Sequence, residues 1–436
     1  MDRKVASLFL ALALLPFVQI FPTAGGSGVP ATPDDWPSFR GSQMNRGLSR
    51  TDLLDRSKGD LILAWDFQAD SAIVTAAATA GRNTVFASID GTVYNVDTEL
   101  GALDWSVKVG SEVYASPLID RERNAVYICD ASGGVTRLDL DDGNTVWQWS
   151  TGTPDSIYSS PNMDDKGRIF FGSYDGVFYA LDPNGTLAWR YTGCRNYIHT
   201  SPSVAIGRVF FGSCDGYLRC LSTLNGTLLW SFQSAYIPSS PSIRDGKVYF
   251  GSFDQKFYAL DLFTGEHVWN TTLGADIYSS PAVSGDRIVV GCDDGFLYCL
   301  NRTNGEILWK LDLGPGKLES SPAIASQLVV ETYHQGLVLV HLENGSIYRT
   351  FELGDSRDVS PCVADGKVIF GDAAGLIKCI KQDMLPLGDD DDGSLDLNEE
   401  ADTMRDTIFI IIAVVIIIAV VGLIFLRKYR QLRKES

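Results

Sequence analysis

The chain has few of the residues that most catalytic and metal sites require. Its 436 residues include only four histidines, His199, His267, His334 and His341, which argues against a histidine-based metal site. The sequence has no Cys-x-x-Cys motif, no metalloprotease helix, no serine-hydrolase elbow and no complete phosphate-binding loop. Residues 61–383 also lack an amphipathic helical pattern of useful length, which excludes parallel folds built from alternating strands and helices.

Basic residues are outnumbered by acidic ones. The sequence has 36 Lys and Arg against 54 Asp and Glu, for a formal net charge of −18. This balance argues against nucleic acid as a partner and against docking of the main domain on anionic lipid. It suits a soluble domain exposed at a surface.

A repeat of about 40 residues fills the chain from roughly residue 61 to 383. Tryptophans recur at gaps of 39 to 42 residues, at Trp65, Trp105, Trp147, Trp189, Trp230, Trp269 and Trp309. Ser-Pro dipeptides recur in parallel, with their prolines at Pro117, Pro161, Pro202, Pro241, Pro281, Pro322 and Pro361. A period of this size is typical of a propeller or a solenoid.

Each repeat contains four short strands separated by glycine turns. In residues 278–309, apolar runs alternate with Gly-Asp, Asp-Asp-Gly and Asn-Gly turns, and glycine supplies the positive φ that such turns need. A four-stranded sheet of this kind has two faces to cover, so the blades are expected to close into a ring. We expect the tryptophan of each fourth strand to pack against the next blade.

The repeat count predicts eight blades rather than seven. Counting Ala76-Ala77 as a degenerate Ser-Pro gives eight units, but the last one has only three strands. The spare strand, residues 61–65, precedes the first unit and can supply the missing fourth strand. The sequence thus predicts an all-β, eight-bladed propeller of four-stranded antiparallel blades, closed by an N-terminal strand. Arg349 departs from the pattern, because it stands where the seventh unit should have tryptophan.

Two segments carry a resemblance to a known family. The run FGSYDGVFYALDPNGTLAWRY, residues 171–191, resembles the pyrroloquinoline-quinone-like (PQQ-like) repeat of the quinoprotein-dehydrogenase superfamily, and DWPSFRG, residues 35–41, is similar to the lead-in before many such propellers. The resemblance covers roughly residues 35–383. It implies the propeller fold, which serves enzymes, scaffolds and sensors alike; related non-enzymatic propellers include the outer-membrane assembly scaffold of Gram-negative bacteria.

The enzymatic alternative is a quinone-dependent dehydrogenase of alcohols or sugars. The resemblance implies that such an enzyme would need pyrroloquinoline quinone, Ca²⁺ ligands, a catalytic Asp and usually long inserted loops. This chain has no adjacent cysteine pair, which many of the alcohol-oxidising members carry, and its repeats stay between 39 and 42 residues. We therefore expect no cofactor and no catalysis.

The two ends of the chain predict export and membrane anchoring. Residues 1–26 have the pattern of a secretory signal peptide, residues 27–60 form the lead-in, and no cysteine near the signal supports a lipoprotein anchor. Residues 408–426 are 19 uncharged residues followed by five basic ones, enough for a helix of about 28 Å across a bilayer. The positive-inside rule places the tail, residues 427–436, in the cytoplasm and the propeller outside it.

An acidic stretch, residues 384–407, separates the propeller (residues 61–383) from the predicted transmembrane helix. Its like charges predict a solvated, extended stalk. Asp390, Asp392 and Glu399 stand at partial spacing of a calcium-binding loop, but the first ligand position is Gly388. A plain acidic spacer is the simpler interpretation.

The localisation prediction is a single-pass cell-membrane protein. An endoplasmic-reticulum membrane protein with a sensor or quality-control role is the alternative, because Arg433 and Lys434 are similar to a dibasic retrieval signal. Export also makes glycosylation of some of the five Asn-x-Ser/Thr sequons expected, and these are Asn184, Asn225, Asn270, Asn301 and Asn344.

The eight cysteines offer one candidate disulfide. Cys220, Cys299 and Cys379 replace a small residue of the third strand and are predicted to be buried thiols. Cys194 lies in a loop between blades and Cys214 in a turn between the second and third strands, and these two kinds of loop share one face of a propeller. A Cys194–Cys214 disulfide is therefore one possibility, with free thiols the other.

The candidate binding site is a ring of residues, one from each blade. Three positions before each proline, or before Ala77, the chain has Val74, Tyr114, Tyr158, His199, Pro238, Tyr278, Glu319 and Asp358. The repeat places them around one mouth of the central channel, with Arg195 and Arg357 alongside. Tyrosine offers amphipathic contact area there, although the same tyrosines could simply line the channel. The sequence favours a membrane-anchored, non-catalytic scaffold or receptor that binds a protein or glycan partner at this mouth.

Overall fold

The structure, a computed structural model, describes residues 35–49, 53, 60–356 and 359–383. These residues form eight β-sheets, and the innermost strand of the last sheet contacts that of the first. The sheets therefore close into a ring, as the repeat count predicts. The eight-bladed, all-β fold is confirmed.

Two strands precede the first blade, β1 (Leu48–Ser49) and β2 (Leu61–Gln68). Blades 1 to 4 follow, each given from its inner to its outer strand. Their strands are β3 (Ala78–Ala80), β4 (Asn83–Ala87), β5 (Thr92–Asp97) and β6 (Leu103–Lys108); β7 (Leu118–Asp120), β8 (Ala125–Cys129), β9 (Gly134–Asp139) and β10 (Thr145–Ser150); β11 (Asn162–Met163), β12 (Ile169–Gly172), β13 (Phe178–Leu181) and β14 (Leu187–Tyr191); β15 (Ser203–Ala205), β16 (Arg208–Gly212), β17 (Tyr217–Ser222) and β18 (Leu228–Gln233).

Blades 5 to 8 continue in the same order, and short 3₁₀ helices span Phe39–Gly41 and Arg121–Arg123. The strands of these blades are β19 (Ser242–Arg244), β20 (Lys247–Gly251), β21 (Lys256–Asp261) and β22 (His267–Thr272); β23 (Ala282–Ser284), β24 (Arg287–Gly291), β25 (Phe296–Asn301) and β26 (Ile307–Asp312); β27 (Ala323–Ala325), β28 (Leu328–Tyr333), β29 (Gly336–His341) and β30 (Ile347–Glu352); β31 (Cys362–Ala364), β32 (Lys367–Gly371) and β33 (Leu376–Gln382), with β2 as the fourth.

Blade 8 closes the ring with strands from both ends of the propeller. Strand β2 pairs antiparallel with β33, in a register that runs from Leu61 opposite Gln382 to Gln68 opposite Leu376. This pairing confirms the predicted N-terminal closing strand. It joins the first and last parts of the repeat by backbone hydrogen bonds, so blade 8 is completed to four strands.

Successive blades are joined by a tryptophan–glycine contact. The indole nitrogen of Trp105 donates a hydrogen bond to the Leu140 carbonyl of the next blade at 2.9 Å. A Cβ added to Gly143, in the same turn, would lie 2.7 Å from the Trp105 ring, so only glycine leaves room for the indole. All seven repeat tryptophans donate a hydrogen bond of this kind to a carbonyl of the next blade.

Arg349 occupies the eighth position of this series. The blade that follows it has no turn between its third and fourth strands, because β33 and β2 come from opposite ends of the chain. No turn glycine is therefore available for an indole to cover. Arg349 instead forms an ion pair with Asp60, just before β2, at 3.5 Å. The departure seen in the sequence is thus explained by the way the ring closes.

The described part of the lead-in segment, residues 35–49, lies along the inner strands and closes one end of the central channel. Its carbonyls accept hydrogen bonds from amides on the inner strands of six blades: Trp36 from Thr79, Pro37 from Ile119, Gln43 from Val204, Met44 from Ile243, Arg46 from Val283 and Gly47 from Ile324. All six amides stand two positions after the Ser-Pro proline or Ala77. Strand β1 also pairs in parallel with β27, so blade 7 has five strands where four were predicted.

A buried charge pair accompanies this segment. Arg40 is fully buried and donates a hydrogen bond to the Ser321 carbonyl at 2.8 Å. Burial lowers the pKa of Arg40 to about 9, against the attraction of Glu331. Burial likewise raises the pKa of Glu331, on β28, to about 8. The two groups attract each other through space, whereas the side-chain hydrogen bond to the Glu331 carboxyl comes from the Ser320 hydroxyl.

The remaining predictions about the chain ends fall outside the described residues. These are the signal peptide, the acidic stalk with Asp390, Asp392 and Glu399, the transmembrane helix at 408–426 and the basic tail with Arg433 and Lys434. Among the residues that the structure does describe, no helix is long and apolar enough to cross a bilayer.

Candidate functional site

The predicted mouth residues surround a single cavity of about 240 Å³ on the propeller axis. Seven of the eight ring positions line it: Val74, Tyr114, Tyr158, His199, Pro238, Tyr278 and Glu319. Phe39 of the lead-in segment also lines the cavity. The mouth residues precede the Ser-Pro proline, whereas the amides that hold the lead-in follow it. The channel is therefore a well, open at the mouth and closed at the opposite end of the inner strands.

The Ser-Pro serines form a hydrogen-bonded chain around this well. The amide of Ser116 donates to the Ser160 hydroxyl of the next blade at 2.9 Å, and the amide of Ser160 donates to the Ser201 hydroxyl at 3.0 Å. The same link occurs seven times, from the Ala76 amide to the Ser360 hydroxyl. Ala76 has no hydroxyl, so the junction between blades 8 and 1 lacks an acceptor at this position. These serines shape the inner wall of the site.

Four tyrosines stack in a row along one side of the mouth. The ring centroids of Tyr114 and Tyr158 are 4.6 Å apart, those of Tyr158 and Tyr174 are 4.7 Å apart, and those of Tyr174 and Tyr197 are 4.6 Å apart. These are contact distances for aromatic pairs. Each ring thus packs against its neighbour, and the four half-buried tyrosines form one continuous aromatic surface.

Four further rings extend this row. Tyr236 lies 6.4 Å from Tyr197 and 4.5 Å from Phe253, which lies 6.4 Å from Tyr278. Tyr278 in turn packs on His199 at 5.4 Å. All eight side chains are half-buried. We call them the aromatic crescent: Tyr114, Tyr158, Tyr174, Tyr197, His199, Tyr236, Phe253 and Tyr278.

Half of the crescent was missed by the sequence reasoning. Tyr197 and Tyr236 stand five positions before the proline, while Tyr174 and Phe253 stand in the turn between the second and third strands. A backbone hydrogen bond joins these two loops within a blade, as from the Phe253 amide to the Tyr236 carbonyl at 2.9 Å. An alignment of the repeats at both positions would have shown the aromatic residues, but not that the two loops meet.

His199 is held in its neutral form inside the crescent. Its Nε2 lies 2.8 Å from the Tyr278 hydroxyl, and Tyr158 stacks on it at 5.8 Å. Burial lowers the pKa of His199 to about 4. The imidazole is therefore uncharged at neutral pH. Burial also raises the pKa of Tyr278, so the pair is neutral at the centre of the mouth.

The side of the mouth next to the crescent is acidic. Lys317 bridges Asp293 at 2.8 Å and Glu319 at 3.2 Å, and these hydrogen bonds raise the pKa of Lys317. The Asp293 side chain is only 7% exposed, and its Oδ1 has no hydrogen-bond partner. Burial raises the pKa of Asp293. One lysine thus serves two carboxylates, which leaves this side of the mouth with a negative charge.

The other predicted site residues have different positions. Arg195 is exposed, and its amide donates to Asp215 at 2.9 Å; it does not line the well. Arg357 and Asp358 lie outside the described residues. The structure therefore groups the tyrosines, His199 and Glu319, but not Arg195.

The predicted Cys194–Cys214 disulfide is not formed in the structure, where both residues are free thiols. Their sulfurs have different neighbours: the Cys214 thiol interacts with the Tyr236 and Tyr197 side chains, whereas Cys194 lies near Arg219. Burial raises the pKa of Cys214 to about 12 and that of Cys194 to about 11. Cys220, Cys299 and Cys379 are buried thiols, as predicted.

The described residues around the well offer few oxygen ligands of the kind that Ca²⁺ takes. Calcium takes six to eight oxygen ligands, and no group of three or more acidic, histidine or cysteine side chains in the described part of the chain could hold a metal ion. Glu319, which lines the well, shares the Lys317 ammonium group with Asp293. The well itself, at about 240 Å³, is smaller than the 300–1,000 Å³ typical of ligand pockets.

Comparison with known families identifies the repeat. A family described as outer membrane protein assembly factor BamB matches residues 53–162, 132–276 and 236–359. These overlapping matches cover more than half of the chain. The chain belongs to this BamB family of PQQ-like propellers.

Individual members of the BamB family are distant from this chain. The assembly factor BamB of Legionella pneumophila is 25% identical over 151 residues, which are 32% of this chain and 38% of that protein. BamB of Nitrosomonas eutropha is 26% identical over 130 residues, 30% of this chain and 31% of the relative. The matched region thus spans less than two fifths of either relative.

Two solved structures show the same fold. BamB of Moraxella catarrhalis superposes with a TM-score of 0.64 at 19% identity, covering 74% of this chain and 98% of that one. Quinohemoprotein alcohol dehydrogenase of Comamonas testosteroni gives 0.69 at 12% identity, covering 83% of each chain. One of these is a BamB protein and the other is an enzyme, so the shared fold alone does not assign a function.

Proposed function

We propose that this protein is a non-catalytic scaffold, anchored in a membrane, that binds a protein partner on the mouth face of its propeller. The observation that carries the proposal is the aromatic crescent, eight half-buried rings in one contiguous network. Large rigid side chains of this kind supply contact area at low entropic cost and dominate the energetics of protein interfaces. The name of the matched family, an assembly factor, supports a role in holding other proteins together.

The charge of the mouth face indicates the chemistry of the partner. Glu319 and Asp293 share one lysine beside the crescent, and Glu112 and Asp276 stand at loop positions equivalent to that of Tyr236. A basic patch on the partner, rich in Arg or Lys, would complement this surface and speed association at low salt. Arginine also stacks well on tyrosine rings. The proposal therefore includes binding that weakens as salt concentration rises.

The proposed membrane anchor is supported by the sequence alone. The apolar run at 408–426 and its basic flank favour a single C-terminal span, with the propeller outside the cytoplasm. Such an anchor would keep the propeller at the membrane surface, where membrane-bound partners are available. Carbonate extraction of the full chain, compared with a chain ending at residue 407, tests this part separately: the full chain should stay in the membrane pellet and the shorter one should be released.

Photo-cross-linking in the native membrane tests the docking surface. A photoreactive amino acid at position 174 or 236, in the crescent, should give a discrete cross-linked partner. The same group at position 263 is the control, because Phe263 is exposed in a turn on the opposite side of the propeller. Equal cross-linking from both faces, or none from the crescent, would contradict the proposal.

Matched phenylalanine substitutions then measure how much a ring of the crescent contributes to the free energy of partner binding. Phe253→Ala removes a ring of the crescent, whereas Phe263→Ala removes an exposed ring outside it. With the cross-linked partner in hand, we expect Phe253→Ala to weaken binding by roughly 10-fold or more and Phe263→Ala to leave it unchanged.

Calorimetric titration with pyrroloquinoline quinone and Ca²⁺ distinguishes the scaffold from the alternative, a quinone-dependent dehydrogenase. Tight binding of both ligands would replace the scaffold proposal with a dehydrogenase.

A further inference from the structure

The five sequons fall one to a blade, in five successive blades. Asn184 lies between β13 and β14 of blade 3, and Asn225 between β17 and β18 of blade 4. Asn270 is on β22 of blade 5, Asn301 ends β25 of blade 6, and Asn344 lies between β29 and β30 of blade 7. Blades 8, 1 and 2 have no sequon. The sequons therefore form an arc over five eighths of the ring.

The arc lies on the side of the propeller away from the mouth. Four of the asparagines stand at the turn between the third and fourth strands, and Asn270 is on the outer strand that follows such a turn. Strands alternate in direction within a blade, so these turns are at the end opposite the loops that carry the aromatic crescent. No sequon lies on the mouth face.

The asparagines differ in how open they are to modification. Asn184, Asn225, Asn270 and Asn344 are exposed, whereas Asn301 is half-buried. The Oδ1 of Asn301 accepts hydrogen bonds from the Thr303 amide at 2.8 Å and the Asn304 amide at 3.4 Å, a contact that Asn184 and Asn344 also make, so half-burial is what sets Asn301 apart from them. The Nδ2 of Asn270 is also engaged, 2.7 Å from Nε2 of His267.

Asn184, Asn225 and Asn344 lie between strands and are exposed, and we call them the turn sequons. At Asn184, the Thr186 amide and hydroxyl both donate to Oδ1, at 3.1 and 2.8 Å. The Ser346 amide and hydroxyl do the same at Asn344, at 3.0 and 2.8 Å. These contacts use the oxygen of the side-chain amide and leave the nitrogen pointing away from its sequon partner.

An exposed apolar belt runs beside the arc. Apolar residues near the start of the outer strands are exposed in every blade. In the blades of the arc these are Leu187, Leu228, Leu229, Val268, Ile307 and Ile347, and in blades 8, 1 and 2 they are Ile62, Leu63, Leu103 and Val146. Exposed apolar side chains at equivalent places in neighbouring blades favour a cover or a partner. A hydrophilic oligosaccharide at the preceding turn is placed to shield those in the arc.

We propose that Asn184, Asn225 and Asn344 carry N-linked oligosaccharides at high occupancy, with Asn270 and Asn301 at lower occupancy, as an arc that shields blades 3 to 7. In the modification, the asparagine Nδ2 forms a bond to the anomeric carbon of a lipid-pyrophosphate-linked oligosaccharide. The bond from that carbon to the phosphate oxygen breaks, the lipid pyrophosphate leaves, and the amide loses one proton to solvent. The mouth face and the outer edge of blades 8, 1 and 2 remain bare, so protein partners are confined to these two surfaces.

Glycopeptide mass spectrometry on the full chain purified from its native host tests the proposal. We expect glycopeptides at positions 184, 225 and 344 to be more than half occupied, with lower values at 270 and 301. Unmodified asparagine at the three turn sites would overturn the proposal, and so would an occupancy at 301 equal to or above theirs.

Matched variants separate the sequon from the turn. Thr186→Ala keeps Asn184 but destroys its sequon, and should remove the mass of one oligosaccharide, whereas Thr186→Ser keeps the sequon and should retain it. Enzymatic removal of the oligosaccharides should increase aggregation, because the apolar belt becomes exposed. Unchanged solubility after removal would overturn the shielding role, and none of these results depends on the partner at the mouth.

Discussion

The Ser160 amide donates a hydrogen bond to the Ser201 hydroxyl at 3.0 Å, across 41 positions of sequence. The two serines belong to the Ser-Pro dipeptides of neighbouring blades. The serine hydroxyl of one repeat thus accepts a hydrogen bond from a buried backbone amide of the repeat before it. A buried amide needs such an acceptor. This contact explains why serine recurs before proline, and the seven-link chain that it forms has one gap, at Ala76.

We expect Ala76→Ser to stabilise the propeller by completing this chain at the junction of blades 8 and 1. A net hydrogen bond in a protein contributes about 0.5–1.5 kcal/mol, and the free energy of unfolding should rise by that amount in urea titrations. The reverse control is Ser201→Ala, which leaves the Ser160 amide without its acceptor and should cost about 1–3 kcal/mol. A loss of stability in Ala76→Ser would show that the junction has no room for the hydroxyl.

Gly143→Ala should destabilise the propeller more than Gly246→Ala does. The two glycines have nearly the same backbone, with φ of 71° and 72°, so both variants bear a left-handed strain of about 1–2 kcal/mol. Only at Gly143 would the new methyl group meet the Trp105 ring; at Gly246 it meets open space. We expect an additional loss of about 1–3 kcal/mol from this overlap, measured as the difference in unfolding free energy. Equal losses would refute the interlocking role of the indole.

The Arg40–Glu331 pair should show strong coupling in a double-mutant cycle. Arg40→Met removes the electrostatic partner of Glu331, and Glu331→Met removes that of the guanidinium. We expect each single variant to lower the unfolding free energy, and the double variant to lose clearly less than the sum of the two losses. Losses that add would mean that the two groups are stabilised independently.

His199 should make stability depend on pH. Burial lowers its pKa from 6.5 to about 4, so between these values the unfolded chain binds a proton that the folded chain does not. The free energy of unfolding therefore falls as pH drops through this window. We expect the wild type to lose roughly 1–3 kcal/mol relative to His199→Phe between pH 7 and pH 4, by urea unfolding at both pH values. Exposed His267, changed to Phe, is the control; the same profile in both variants would be inconsistent with a neutral His199 in the folded protein.

The sequence predicted those features that repeat with the 40-residue period. The tryptophan and Ser-Pro spacings are enough to predict eight blades, a closing strand at residues 61–65 and a ring of mouth residues, because a propeller places equivalent positions of every repeat at equivalent places. The buried state of Cys220, Cys299 and Cys379 followed in the same way, from their alignment with small residues of the third strand.

Features that depend on contacts between non-equivalent positions of the repeat, or with residues outside it, could not be predicted. The pairing of β1 with β27 and the closure of the well by residues 35–49 join a non-repeating segment to the ring, so no periodic signal marks them. The separation of Cys194 from Cys214 depends on how two loops pack side chains on the same face. Tyr174 and Phe253 join the crescent because the turn and the interblade loop of a blade meet through a backbone hydrogen bond.

The sequence by itself determined the architecture of this protein, because a repeated four-strand unit with exposed faces has few ways to bury them other than a closed ring. The tertiary structure decided what the ring presents: a well closed at one end, a braced aromatic crescent at the other, and sequons on the side away from it. These depend on side chains brought together from different blades. Only the completed ring fixes their distances, which is why the repeated ring of positions before the Ser-Pro prolines could be predicted from the sequence but the continuous aromatic surface could not.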